Sequence, residues 1–223
     1  YAFAYCNGIE TLKIPHVKKI GSGAFAYCQN IKKIQFSKKL KCVKERAFID
    51  CVSLGSITIP KNTERIDEEA FSQCDNLKKV TIKNMDMELV GNAFEGTPWM
   101  ESLKDEEGFY ILDGVLLKAR KSTRMVLNVP KGVRRLAEKS IYGCDYVERI
   151  HLPEGLEQID DYAIAGCWRL HYFNIPDSVT TIGKDLFWGS WNVWEIRISR
   201  EFYDKINFEK VFGLSKENAV IRD

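Results

Sequence analysis

The chain repeats itself, and no other feature restricts its fold as much. The stretches YAFAYCNGIETLKIP, GAFAYCQNIKKIQF, RAFIDCVSLGSITIP and EAFSQCDNLKKVTI carry a cysteine at one fixed place. Aligned on it, successive units fall at Cys6, Cys28, Cys51, Cys74, Thr97, Lys121, Cys144, Cys167 and Ser190, in steps of 22 to 24 residues. Three positions earlier most units carry Phe or Ile, from Phe3 and Phe25 to Ile164 and Phe187. Three positions later comes another apolar residue, from Ile9 and Ile31 to Leu170 and Val193. Five of the six prolines, Pro15, Pro60, Pro130, Pro153 and Pro176, share one further place, so the turns keep the same period.

A period of about 20–29 residues with regular apolar spacing reads as a leucine-rich-repeat-like solenoid. One such unit cannot bury its apolar face alone, so neighbours must stack. Within each unit a short piece alternates apolar and polar, as in Ile57-Thr58-Ile59 and Ile150-His151-Leu152. That alternation predicts a strand with one face inward. The proline after it has no N–H to give and ends the ladder. The expected fold is a repeat solenoid of about nine coils in one parallel sheet. Each 23-residue coil supplies one parallel β-strand and a mostly irregular or short helical return.

The pattern fails once. TPWMESLKDEEGFYILDGVLLKAR replaces a coil, and FYIL, Asp113-Gly114 and VLLKA form a hairpin signal. Leu127-Asn128-Val129-Pro130 then returns on schedule, so an inserted hairpin at about 98–121, projecting from the sheet, is expected within a solenoid over 1–199. Residues 200–223 leave the repeat and read as a C-terminal cap, with Phe202, Ile206 and Val211 along one helical face.

CVSLGSITIPKNTERIDEEAF resembles the BspA-type (Treponema pallidum-type) leucine-rich repeats almost position by position. The resemblance covers roughly residues 1–199 and includes the TPW interruption. The asparagine that ladders through ordinary leucine-rich repeats is missing after the strand. The resemblance implies a non-catalytic adhesion or host-protein-binding module, extracellular or at the cell surface. Tyr1 stands where a Met would begin a chain, and the opening enters a unit in mid-phase, so the sequence reads as part of a longer protein.

Composition narrows the function classes. The net charge is only +2, which does not suit a nucleic-acid binder. No apolar run approaches the roughly 20 residues of a membrane span. Seven cysteines invite metal or disulfide readings, but there is no Cys-x-x-Cys and a 23-residue spacing matches no zinc pattern. Parallel side chains about 4.8 Å apart would hold their Cβ atoms too far apart for a good disulfide. The repeated cysteines therefore read as buried free thiols filling a small apolar slot. Cys42 aligns with Lys19 and Arg65 and reads as the most reactive thiol. The GSGAFA stretch at Gly21–Ala26 imitates a dinucleotide loop, but the next coil has KERAFI there, so it is a turn. His16, His151 and His171 are out of phase with one another and suggest no metal or catalytic pair. No triad or paired-acid arrangement is legible, so neither enzyme nor cofactor is expected.

The outward strand positions are more informative. Lys33, Gln35, Lys79, Thr81, Arg149, His151, Tyr172, Asn174 and Arg197 should form columns on one polar, mildly basic sheet face. Trp168, Trp191 and Trp194 crowd the last coils as an aromatic patch. The leading expectation is a surface that binds a protein with an acidic contact face. A carbohydrate stacked on the tryptophans, or a passive spacer, are the alternatives.

Overall fold

The computed structural model describes residues 1–120 and 124–222; Lys121, one of the aligned slot positions, lies outside them. The described residues form two compact units, Tyr1–Lys104 and Asp105–Asp223. The solenoid expectation holds in both, with one correction: each coil gives two strands, so each unit has two sheets.

In unit 1 the long strands are β1 (Thr11–Ile14), β3 (Lys33–Phe36), β5 (Ser56–Ile59) and β7 (Lys79–Ile82), paired in the order β1-β3-β5-β7. Short strands β2 (Lys19–Ile20), β4 (Cys42–Val43), β6 (Arg65–Ile66) and β8 (Glu88–Leu89) make the second sheet, in the order β2-β4-β6-β8. All these pairings are parallel. The second sheet was hidden because two residues such as Arg65-Ile66 are too short to show an alternation. Helix α1 (Pro98–Glu101) follows, capped by the Thr97 side chain, which accepts from Met100 N–H.

The fixed phenylalanine builds the core of unit 1. Phe3, Phe25, Phe48, Phe71 and Phe94 stack ring on ring at 5.1–5.4 Å between centroids. Trp99 of the TPW stretch closes against Phe94, edge-on at 4.8 Å.

Unit 2 opens with the hairpin, and here the expectation changes. Strands β9 (Phe109–Leu112) and β10 (Val115–Ala119) pair antiparallel around Asp113-Gly114, both left-handed at φ 47° and 79°. The hairpin does not project. β10 pairs in parallel with β12 (Arg135–Leu136), and Phe109, Leu116 and Ala119 join the core. The apolar run VLLKA explains this, since it would not stay in water. β12 continues through β14 (Gln158–Ile159) to β16 (Thr181–Ile182) in the short-strand sheet.

The long-strand sheet of unit 2 runs β11 (Val126–Asn128), β13 (Arg149–His151), β15 (Tyr172–Asn174), β17 (Glu195–Ser199) and β18 (Ala219–Arg222). The last strand lies within the stretch expected as a cap. Ile196 pairs with Ala219, so the 23-residue step persists. Between β17 and β18 lie α2 (Arg200–Tyr203) and α3 (Phe208–Phe212). Phe212 stacks on Phe187 at 5.8 Å, so a ring pair closes the end of unit 2. Helices and an altered sequence disguise a degenerate coil.

Candidate functional site

The long strands position the candidate face. Leu12, Ile34 and Ile57 turn inward in unit 1, as do Leu127, Ile150, Phe173 and Ile196 in unit 2. Alternation then sends their neighbours outward. All nine sheet-face residues named from sequence are exposed: Lys33, Gln35, Lys79, Thr81, Arg149, His151, Tyr172, Asn174 and Arg197. Lys33, Ser56 and Lys79 fall in one column, and Arg149, Tyr172 and Glu195 in another.

The five residues of unit 2 come together. Arg149, His151, Tyr172, Asn174, Glu195 and Arg197 surround a hollow of about 270 Å³ floored by Ile150 and Phe173. Its two arginines are held differently. Arg197 Nε donates to Glu195 Oε1 at 2.6 Å, while the Arg149 guanidinium lies 5.7 Å from the centre of the Tyr172 ring. One cation is neutralised by a carboxylate; the other rests on an aromatic face and keeps its donors available. Beside them His171 packs on Trp194 at 4.5 Å, Trp194 meets Tyr172 edge-on at 6.1 Å, and His171 Nδ1 lies 3.1 Å from the Asn192 carbonyl. His151 also lines a wider hollow of about 700 Å³ that holds Glu106, Glu107 and Lys131. Basic and acidic ground therefore meet at His151.

The tryptophans expected as a patch are all exposed: Trp168 61%, Trp191 77% and Trp194 58%. Among the described residues, Trp194 alone of the three packs against other rings. Sequence reasoning missed Trp188, which is 59% exposed and edge-on to Tyr162 at 6.4 Å. The signal was present: Trp188 takes the slot of Ala26 and Ala165, both fully buried, and a slot sized for alanine must turn an indole outward. His171, which suggests no metal or catalytic pair in the sequence, stacks on Trp194 in the structure.

The cysteine slot is more specific than an apolar filler. The Sγ atoms of Cys28, Cys51, Cys74 and Cys167 donate to the carbonyls of Phe3, Phe25, Phe48 and Ile141, at 3.0–3.3 Å. Ser190 Oγ does the same to Ile164 at 3.2 Å. Each of these five side chains therefore ties its coil to the preceding one. All seven cysteines are free thiols. Burial pushes Cys51 up to about 12 and raises Cys28 and Cys74. The neighbouring Cys144 and burial together raise Cys167. Cys42 is half-buried, in register between Lys19 and Arg65.

Among the described residues no group of three His, Cys, Asp or Glu side chains could hold a metal ion. No helix among them is long and apolar enough to cross a membrane.

The sequence matches the family described as BspA type leucine rich repeat region, in six copies, over residues 1–123 and 119–216. No curated protein matches it. Among solved structures, a leucine rich cell surface protein from Faecalibacterium prausnitzii is similar at 24% identity and TM-score 0.41. That match covers 89% of this chain and 56% of that protein. The pneumococcal vaccine antigen PcpA is similar at 22% identity and TM-score 0.39, over 88% of this chain and 65% of the antigen. The leucine rich repeat protein of T. pallidum shares 24% identity at TM-score 0.45, over 76% and 68% of the two chains. The chain thus spans less than two thirds of the first two relatives.

Proposed function

The chain belongs to the BspA-type leucine-rich-repeat family, and from that premise we propose that it is a non-catalytic module that holds other proteins on the long-strand sheet of unit 2. The observation that carries this reading is the hollow over β13, β15 and β17. It combines two arginines and a tyrosine, with Trp194 packed edge-on against that tyrosine, and these are the residue types that dominate binding energy at protein interfaces. Arg149 keeps its donors for a carboxylate, and Trp194 and Tyr172 offer apolar surface next to it. The partner we propose is a protein segment that pairs an acidic side chain with an aromatic or apolar one. A place at the cell surface or outside the cell, and a role in adhesion, belong to the same proposal and rest on the family resemblance.

Panning a displayed random-peptide library against the protein tests this. Selected peptides should pair Asp or Glu with an aromatic residue, and their binding should weaken with added salt. Arg149→Glu with Arg197→Glu should weaken them at least about tenfold while the thermal midpoint stays put. Peptides that bind the double variant as well as the parent would remove the hollow from consideration.

A second reading rests on one observation, the exposure of Trp168, Trp191 and Trp194. Indoles held out in solvent stack on sugar rings. On a glycan array, Trp191→Ala and Trp194→Ala should abolish any retained glycan; unchanged retention ends that reading.

A further inference from the structure

Unit 1 sorts its basic residues between its two sheets. Around the short strands, bases meet acids one coil further on: Lys41 with Glu64 at 2.5 Å, Lys44 with Asp67 at 2.9 Å and Arg65 with Glu88 at 2.5 Å. The long-strand face has no such pairing. Lys13, Lys33 and Lys79 stand exposed on β1, β3 and β7, without an ion pair among the described residues. The exposed hydroxyls of Ser56, Thr58 and Thr81 lie among them, and no acid takes an outward position on the four long strands. The acid at the edge, Glu10, is already held by Lys32 at 3.1 Å. Exposed Lys38 and Lys61 add charge one repeat apart at the strand exits.

Uncompensated lysines repel one another and contribute nothing to the core, so the fold does not require them. The chemistry of the face selects its ligand. Protein interfaces favour Trp, Tyr and Arg and are depleted in Lys and Ser. No aromatic or arginine takes an outward position on β1, β3, β5 or β7. Single-stranded nucleic acid calls for aromatic platforms on which bases stack, and the face offers none. Ammonium groups are mobile point charges that suit anions spread along a flexible chain, and hydroxyls donate to the same oxygens.

We propose that the long-strand face of unit 1 binds an anionic polysaccharide, carboxylated or sulfated, laid across β1, β3, β5 and β7. This site is independent of the hollow in unit 2, and its failure leaves that reading untouched. Heparin serves as the probe, with poly-glutamate and oligo-dT as competitors. The protein should bind heparin more tightly than either competitor, and added salt should weaken it. Lys13→Glu, Lys33→Glu and Lys79→Glu together should weaken heparin at least about tenfold. The same charge change at Lys131, Lys210 and Lys216, which are exposed in unit 2, should weaken it less than about threefold. If the reversals disturb folding, Lys33→Gln with Lys79→Gln repeats the measurement and should still weaken heparin. Equal losses from the two triple variants overturn the proposal, as does tighter binding of poly-glutamate or oligo-dT.

Discussion

Cys51 shows how one position serves a whole stack. Its thiol is fully buried and donates to the Phe25 carbonyl at 3.3 Å. Ser190 makes the same bond in its own coil, so a hydroxyl or thiol suits the slot and a methyl group does not. Cys51→Ala should therefore cost about 1–2 kcal/mol and Cys51→Ser less, read from denaturant midpoints. A larger loss for serine would show that volume, not the donor, decides. The raised pKa also makes a prediction with a definite sign. Burial lifts Cys51 from its ordinary value near 9 to about 12. Between those values the folded thiol keeps a proton that the unfolded one has lost, so stability is intact below pH 9 and falls as pH climbs toward 12. Replacing Cys51 and Cys74 by Ser should flatten that decline; an unchanged slope would assign it to other groups.

The coil has demands of its own at the element scale. Most returns contain two left-handed residues four positions apart: Gly23 and Tyr27, Arg46 and Asp50, Glu69 and Gln73, Lys139 and Gly143, Tyr162 and Gly166, Asp185 and Gly189. The second of each pair stands just before the cysteine slot. The later coils use glycine there, whereas Tyr27, Asp50 and Gln73 hold φ near 60° against their preference. Asp50→Gly should raise stability by up to about 1 kcal/mol, because released strain outweighs added chain entropy. A lower midpoint would mean that the Asp50 side chain holds something in place. The short-strand sheet depends on a different contact. Arg135 and Asp160 are both close to fully buried, and two guanidinium nitrogens reach the carboxylate, at 3.0 and 2.7 Å. Gln158 donates to the same carboxylate at 2.7 Å. Asp160→Ala would take the bidentate carboxylate from a buried guanidinium and should cost about 3 kcal/mol or more by chemical denaturation. A loss below about 1 kcal/mol would show that water reaches Arg135.

At the scale of the whole molecule, charge is divided between the units more unevenly than the net +2 suggests. Unit 1 holds 16 basic and 12 acidic residues, unit 2 holds 17 and 19. The two proposed sites follow this division: lysines and hydroxyls on unit 1, arginines and aromatics on unit 2. Stacking sets the stability pattern inside a unit. Each coil contacts its neighbours, so a coil held on both sides should open less readily than one held on one side. In unit 1, β3 and β5 each have two partners and β1 has one, and Phe3 is 53% exposed where Phe48 is fully buried. Native-state hydrogen exchange should be slowest in the coil of β5 and fastest in that of β1. Uniform protection across unit 1 would show an all-or-none unit instead.

What the sequence determined by itself was the repeat and everything tied to its phase. Pro60 marked the end of β5, Phe48 and Cys51 were placed inside, and Lys33, Arg149 and Tyr172 outside, because a period of two residues inside a period of 23 fixes which side chains share a face. Three things needed the tertiary structure. Strands of two residues, such as Gln158-Ile159, carry no periodicity and exist only because neighbouring coils supply partners. The tail lost its consensus yet kept its 23-residue step, which only the Ile196–Ala219 pairing reveals. The hollow over β13 and β15 arises from side chains up to 48 residues apart in sequence, Arg149 and Arg197. A column on a stacked sheet can be read from spacing. Which of its members leave room between them, and which neutralise one another as Glu195 does Arg197, depends on where the side chains come to rest.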